Sequence, residues 1–476
     1  MKSWRSFFSS TTRTLLAGVL ALSLAGAGCT KLVDQETQAL SAPKTLTMWG
    51  VIDDAVAYES AITAYSQRYP NVRIDFRRLR LEEYETELLN AMAEDRGPDI
   101  FLVHHDWTNK YLSKISSMPP SVRVAERTVQ GSVKKEVVWQ SVNQPLMTNR
   151  EFKDAFVDTV LADTMRVVNV STDPLTNDFR ERVVGVPTFI DTLALYYNRS
   201  LLNAAGIPLP PETWDDFQTQ VKRLTRRDPR DTAILTQSGA AFGTGANIER
   251  SVDVLTSLMM QNGAVMSTRE GYPAFHLIPQ EFQGSAEAPS FGAIRFYSEF
   301  ADPTKDTYTW NADQPNSLEA FIQGRTAFFF GYAYQQDTIL SRAPQLNLGI
   351  TKLPQIVNRP QATTANYWYW TVAKRSKEPS HAWNFVNTLA QKPTQTAIAS
   401  VTGRPSPRRD VLAEQLRDEK MGVFASQVLN AKTWYQGKNP QAMEQAMIRM
   451  MDAIANKETS IEEAVKFTIE QIEETY

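Results

Sequence analysis

Cysteine is almost missing from this chain: Cys29 is the only one in 476 residues. No disulfide framework can brace the fold. Histidine is nearly as scarce, with four. Two of these, His104 and His105, are neighbours, so their side chains leave an extended strand in opposite directions. The other two, His276 and His381, are far away in sequence. No histidine-based metal centre is expected, and no cofactor. G-x-S-x-G, H-E-x-x-H and the G-x-x-x-x-G-K phosphate loop do not occur. The G-x-G of FGTGANIE (242–249) follows no convincing strand. There is no repeat of fixed period and no low-complexity tract. The longest apolar run, TLLAGVLALSLAGAG (14–28), is too short to span a bilayer comfortably. Nor is there an excess of positive charge, with 50 Lys and Arg against 53 Asp and Glu. Without residues 1–28 the balance is 47 against 53, which argues against a nucleic-acid partner.

What the chain does have is length, too much for one compact core, so two lobes are expected. Lys2, Arg5 and Arg13 precede the short apolar run, the layout of a targeting segment. Strand and helix periods then alternate. TLTMWG (45–50) reads as a strand, and Tyr58, Ile62, Tyr65 and Tyr69 as one face of a helix over 54–69. Val72, Ile74 and Phe76 alternate as a strand. Leu81, Tyr84, Leu88 and Met92 line a second helix, and PDIFLV (98–103) reads as a strand buried on both faces. This order implies right-handed crossovers and a parallel sheet, whose ligands bind beyond the carboxyl ends of the strands. Those ends carry Trp49-Gly50 and His104-His105-Asp106-Trp107. Residues 152–161 read as a helix and 117–147 show no clear period. Further on, helices are expected at 214–226, at RSVDVLTSLMMQNGA, at SFGAIRFYSEFAD and over the last 45 residues. A loop is expected at 265–290 and a buried strand at TAFFFGY.

The most informative stretch is GVPTFIDTLALYYNRSLLNAAGIPLPPETWDDF (185–217). A turn leads to the strand TLALYYN. A short helix stops at Gly206, PLPP blocks further helix, and Thr213 with Asp216 caps the next one. This order resembles the signature of the family 1 extracellular solute-binding proteins, the carbohydrate-type, maltose-binding-protein-like receptors of bacterial ABC importers. FIQGRTAFFFG and GRPSPRRDV (403–411) resemble two further elements of that family, and the likeness covers about 44–116 and 183–476. It implies an α/β, two-lobed periplasmic-binding-protein-like fold of class II, each lobe a central mostly parallel sheet flanked by helices, with a hinge between. Lobe one would take 44–188 with 366–411, and lobe two 189–365 with 412–476. Residues 1–28 would be a signal peptide. Cys29 resembles the lipid-modified first residue of a bacterial lipoprotein, although Gly26 stands where Leu is usual. The alternative is ordinary cleavage after Ala27, leaving an unmodified thiol. On the lipoprotein resemblance, residues 29–44 would be a tether holding the protein outside the cytoplasm on the cell membrane.

A sugar presents hydroxyls at its rim and C–H groups on its faces, so its receptor needs carboxylates, amides and aromatic rings. Asp106 and Trp107 follow the buried strand, and Trp49 ends the first one. Phe189 and Asp191 sit at the lobe crossing. Tyr332, with Tyr334 beside it, resembles the family's aromatic platform. In YWYW, Tyr367 and Tyr369 share one face and Trp368 and Trp370 the other; Trp368 is the candidate for the cleft. Trp434 resembles a C-terminal cleft aromatic. Arg404 is a candidate for a ligand oxygen, Asn247 a weaker one, and Asp53 and Asp54 are expected to be solvated or capping. The reading is a monomeric, non-enzymatic receptor that closes over a small ligand, a sugar or oligosaccharide, and presents it to the subunits of an ABC permease. Its rivals are a same-fold receptor for a polyamine, a peptide or chelated iron, and a secreted glycan-degrading enzyme.

Overall fold

A computed structural model describes residues 34–131, 135–171, 173, 175–231 and 234–476; the apolar segment 14–28 and Cys29 lie outside them. The described chain divides into two units, 34–42 with Arg123–Val142, and Pro43–Val122 with Asn143–Tyr476. In the smaller unit, Asp34 caps the helix Gln35–Ser41 through the Thr37 N–H at 2.8 Å. That places a helix where only a tether is expected. Arg123 pairs with Glu36 at 2.9 Å.

The larger unit holds two central sheets. Leu46 and Met48 alternate inward along β1 (Lys44–Gly50), as Val72 and Ile74 do along β2 (Val72–Arg78). β3 (Ile100–His104) buries its first four residues on both faces. β1 pairs parallel with β2 and with β3, and helices Glu59–Arg68 and Leu81–Ala93 make the crossovers. β16 (Trp368–Val372) then pairs antiparallel with β3, and β8 (Val186–Pro187) with β16, closing the order β2-β1-β3-β16-β8.

The second sheet runs β11 (Arg226–Arg227), β12 (Leu235–Ala240), β13 (Thr326–Gly331), β10 (Ala194–Asn198), β14 (Leu348–Lys352). Only β12 and β13 pair parallel in it. Parallel pairing is thus confined to strands reached through a helix. β10 and β16 enter directly from segments that cross between the sheets, and they run against their neighbours. The crossing segments themselves, β9 (Asp191–Thr192), β15 (Thr363–Asn366) and β17 (Ala431–Lys432), form a third, small sheet.

Aromatics fill the core beside the second sheet. Phe217, on the helix Trp214–Leu224, packs 5.3 Å from Phe242, 5.6 Å from Phe328 and 5.5 Å from Phe330. That helix starts as expected, with Thr213 Oγ1 accepting from the Asp216 N–H at 3.1 Å. Gly206 and Gly324 take φ of +66° and +70° at the turns, a region glycine enters without the Cβ penalty.

Some expectations give way. The helix expected over 152–161 is two, Asn149–Ala155 and Asp158–Thr164. Phe156 is extended between them and forms a bridge with Arg408. The aperiodic 117–147 contains β4 (Ser121–Gln130) and β5 (Glu136–Pro145), a hairpin whose second strand has no fully buried residue. A second hairpin pairs β6 (Met165–Asn169) with β7 (Phe179–Val183). Leu81 is exposed, although the other residues expected on its helix face pack inward.

Candidate functional site

The register of the small crossing sheet brings the site together. Asp191 lies opposite Asn366 in the β9–β15 ladder, and Trp368 lies opposite His104 in the β16–β3 ladder. The Asn366 side-chain oxygen lies 2.8 Å from His104 Nε2, and His104 Nδ1 meets the Asp106 carboxylate in a short contact. Burial alone would lower the His104 pKa, but the charge and hydrogen bond of Asp106 hold it above its ordinary value. When protonated, the ring donates through both nitrogens. Burial also works against the Asp106 carboxylate, and His104 outweighs it, keeping the group ionised. His105 behaves oppositely. Its ring stacks on Tyr367 at 5.1 Å, and burial, aided by the His104 charge, pulls it down to about 3.

Asp191 is 1% exposed. Its Oδ1 accepts from the N–H groups of Thr192 at 2.9 Å and Ala333 at 3.0 Å. Its Oδ2 has no hydrogen-bond partner among the described residues. Burial raises this carboxyl to about 7 despite the backbone donors. An unpartnered buried oxygen of this kind calls for a donor.

The Ala333 contact also seats the loop after β13. Tyr332 is fully buried, and its hydroxyl donates to Asp253 Oδ2 at 2.9 Å. Arg250 Nε donates to the same oxygen at 2.6 Å, and the guanidinium lies 5.2 Å from the Tyr332 ring centre. The Tyr334 ring is nearly parallel to that of Tyr332, 6.2 Å away at 17°, and is 45% exposed. Arg250 stands just before the helix Ser251–Gln261 with φ of +59°. For a residue with a side chain this costs on the order of 1–3 kcal/mol, a strain typical of functional sites. Its charge acts on Asp106, His104 and Glu444. Glu444, on the helix Pro440–Ala455, is solvent-exposed yet hemmed in by chain: desolvation pushes its carboxyl up and Arg250 pulls it back.

The remaining candidates divide. Trp107 stacks on Tyr111 at 5.7 Å and meets Trp368 edge-on at 5.1 Å. Trp368 is buried against Trp107, His104 and Tyr84. Trp49 is half-buried beneath the Arg77 guanidinium, 5.0 Å from its ring centre. Arg404 stacks on Phe189 at 3.7 Å and pairs with Asp53, both ions being nearly buried. These three form a cluster of their own, so Asp53 is neither solvated nor capping. Asn247 spends its side chain on loop contacts, donating to the Asn311 and Gln314 carbonyls at 2.9 and 3.0 Å. Trp434 borders a cavity of about 710 Å³ with Asn109, Arg166, Lys432 and Gln436.

Sequence reading did not single out Arg250, Asp253, Asn366 or Glu444. Only the spacing of Arg250 and Asp253, opposite charges three apart at a helix start, could have flagged them, and that pattern is common on solvated helices.

The model of the family described as bacterial extracellular solute-binding protein matches residues 50–396. A binding protein of Brucella abortus is 23% identical over 260 residues, 54% of this chain and 56% of that protein, so the chain spans little more than half of that relative's length. The maltodextrin-binding protein MdxE of Bacillus subtilis is 24% identical over 311 residues, 62% of this chain and 68% of that one. Among solved structures, the cyclic alpha-maltosyl-1,6-maltose binding protein from Arthrobacter globiformis gives a TM-score of 0.67 at 15% identity, covering 90% of this chain and 98% of that chain. A cyclo/maltodextrin-binding protein complexed with maltotetraose gives 0.65 at 16%, covering 91% and 97%.

Proposed function

Because this chain belongs to the bacterial extracellular solute-binding proteins, a family of binding proteins with a two-lobed fold, we propose that it captures a sugar or oligosaccharide and delivers it to an ABC permease. The observation that carries the reading is the free oxygen of buried Asp191 close to the half-exposed ring of Tyr334. A carbohydrate hydroxyl supplies the missing donor while the C–H face of its ring covers the tyrosine. Asp106, Trp107, Arg250 and Glu444 complete the surround, and Trp434 serves the neighbouring cavity. The ligands named for the similar proteins, maltodextrin and maltotetraose among them, support the same ligand class.

The lobes we assign are 44–188 with 366–411 and 189–365 with 412–476. Every strand of the first sheet falls in the former ranges and every strand of the second in the latter. Ligand bound to one lobe gains contacts from the other on closure, so it shifts the open–closed equilibrium by its greater affinity for the closed state. We further assign Cys29 as the lipidated anchor, the protein as a monomer outside the cytoplasm, and its role as binding rather than turnover. A polyamine is served less well, because Asp106 and Asp253 already spend their charge on His104 and Arg250.

A thermal-shift screen over mono- and oligosaccharides tests this. A true ligand at 100 times its Kd adds about 2.7 kcal/mol of stability, and Asp191→Ala removes the shift. Release of reducing ends from the same sugars would instead make the protein an enzyme. A shift given only by polyamines or peptides would refute the carbohydrate assignment.

A further inference from the structure

The cavity beside Trp434 differs in charge from the rest of the molecule. Its volume of about 710 Å³ is in the range of small-molecule sites. Three cations line it, Arg166, Arg269 and Lys432, against one acid, Glu270, in a chain where acids outnumber bases, 53 to 50. None of the three cations has a carboxylate partner among the described residues. Arg166 donates only to neutral groups, among them the Gln436 side-chain oxygen at 3.0 Å. Arg269 and Lys432 are exposed. The nearby carboxylate of Asp163 accepts from Tyr367 at 2.5 Å, from Thr433 at 2.9 Å and from the cavity-lining Gln436 at 3.3 Å, and the Arg166 charge acts on it without a direct ion pair. Arg269 and Lys432, with Arg166 partly offset by Asp163, form a cationic wall beside Asn109 and the small exposed edge of Trp434, which is 8% exposed.

We propose that this cavity holds the acidic part of the ligand, so that the protein selects saccharides bearing carboxylates, such as uronate oligomers, over neutral ones. The proposal rests on the saccharide-receptor reading and narrows it. Guanidinium and ammonium groups pair with a sugar carboxylate, and the exposed edge of Trp434 borders the sugar beside it. A neutral sugar leaves the cations as they are. Hydrogen bonds to charged partners are worth enough that losing them weakens binding at least about tenfold.

The test measures affinity by calorimetry for oligogalacturonate, oligoalginate and oligoglucuronate fragments, each paired with its carboxyl-reduced, neutral form. The expected result is that at least one acid fragment binds at least about tenfold more tightly than its reduced partner. Added salt should narrow the gap, and the double variant Arg269→Gln/Lys432→Gln should close it. Both positions are exposed, so the variant should fold, which its unchanged melting temperature would verify. Equal or tighter binding of the reduced forms, or a preference untouched by the double variant, overturns the proposal and leaves the receptor reading standing. If neither these nor any other saccharide binds, both fall together.

Discussion

Replacing Asp191 by Asn isolates the energetics of the site. Burial raises this carboxyl from an ordinary 3.8 to about 7, so the folded protein holds a proton that the unfolded chain has released. A raised acid stabilises fully below its unfolded pKa, and that stability drains away as pH climbs to the folded value. The window therefore runs from about pH 4 to about pH 7. A shift of about 3 pH units at roughly 1.4 kcal/mol each gives a loss of about 4 kcal/mol, an upper bound because the site relaxes around the charge. The Asn side chain has no proton to lose. The stability difference between Asp191→Asn and the parent should be small at pH 4 and grow to several kcal/mol in the variant's favour by pH 8. Urea unfolding followed by tryptophan fluorescence at four pH values measures this directly, with equal m-values required for the comparison. A difference that stays constant from pH 4 to 8 would refute the argument that Asp191 is desolvated and unpartnered. The same chemistry makes saccharide affinity fall as pH drops below about 7, since a ligand hydroxyl donates best to the carboxylate.

Four more outcomes are expected. Gly349→Ala puts a Cβ 2.2 Å from Cζ of the Tyr197 ring; it should cost about 1–3 kcal/mol or more in urea unfolding. Asp53→Ala strands Arg404, whose side chain is 6% exposed, and should cost about 3–5 kcal/mol, with Asp53→Ala/Arg404→Met recovering much of it. His104 should titrate above 6.5 by NMR, because Asp106 overrides burial; in Asp106→Asn burial prevails and the midpoint drops below 6.5. The His104–Asp106 contribution to stability is full between about pH 4 and 6.5; it fades as pH rises through the folded value of His104 and again as pH falls through that of Asp106. Tyr334→Ala should leave the melting temperature unchanged and weaken saccharide binding about tenfold, as calorimetry would show.

Much of the fold was legible because its apolar residues recur with clean periods. β1, β2 and β3 and the helices between them follow from alternation and from one-sided stripes. The hairpin β4–β5 was not legible, because β5 buries no side chain fully and so carries no alternation. Asp106, Asp191 and Tyr332 could be singled out as residues at strand ends and crossings. What sequence could not supply was which oxygen of Asp191 lies free, or that Arg250 covers Tyr332, since Ala333 lies 142 positions from Asp191 and Tyr332 lies 82 from Arg250. Arg404 and Phe189 look like ligand contacts in sequence because polar and aromatic residues at a crossing suit either role. Their contacts with Asp53 and with each other are visible only in three dimensions.

The ribbon of Val186–Thr192 against Ala365–Trp370 has one further implication. Val186 and Pro187 pair with Trp370 and Tyr369, whereas Asp191 and Thr192 pair with Asn366 and Ala365, so the first strand carries one residue more than its partner between the two ladders. That surplus residue acts as a spacer of fixed count. Adding or deleting one amino acid at 188–190 would slip the ladder and turn the Asp191 carboxylate to the opposite face. The length of this connector is therefore fixed by the ladder, its three side chains are buried as well, and any reporter spliced into the protein belongs elsewhere.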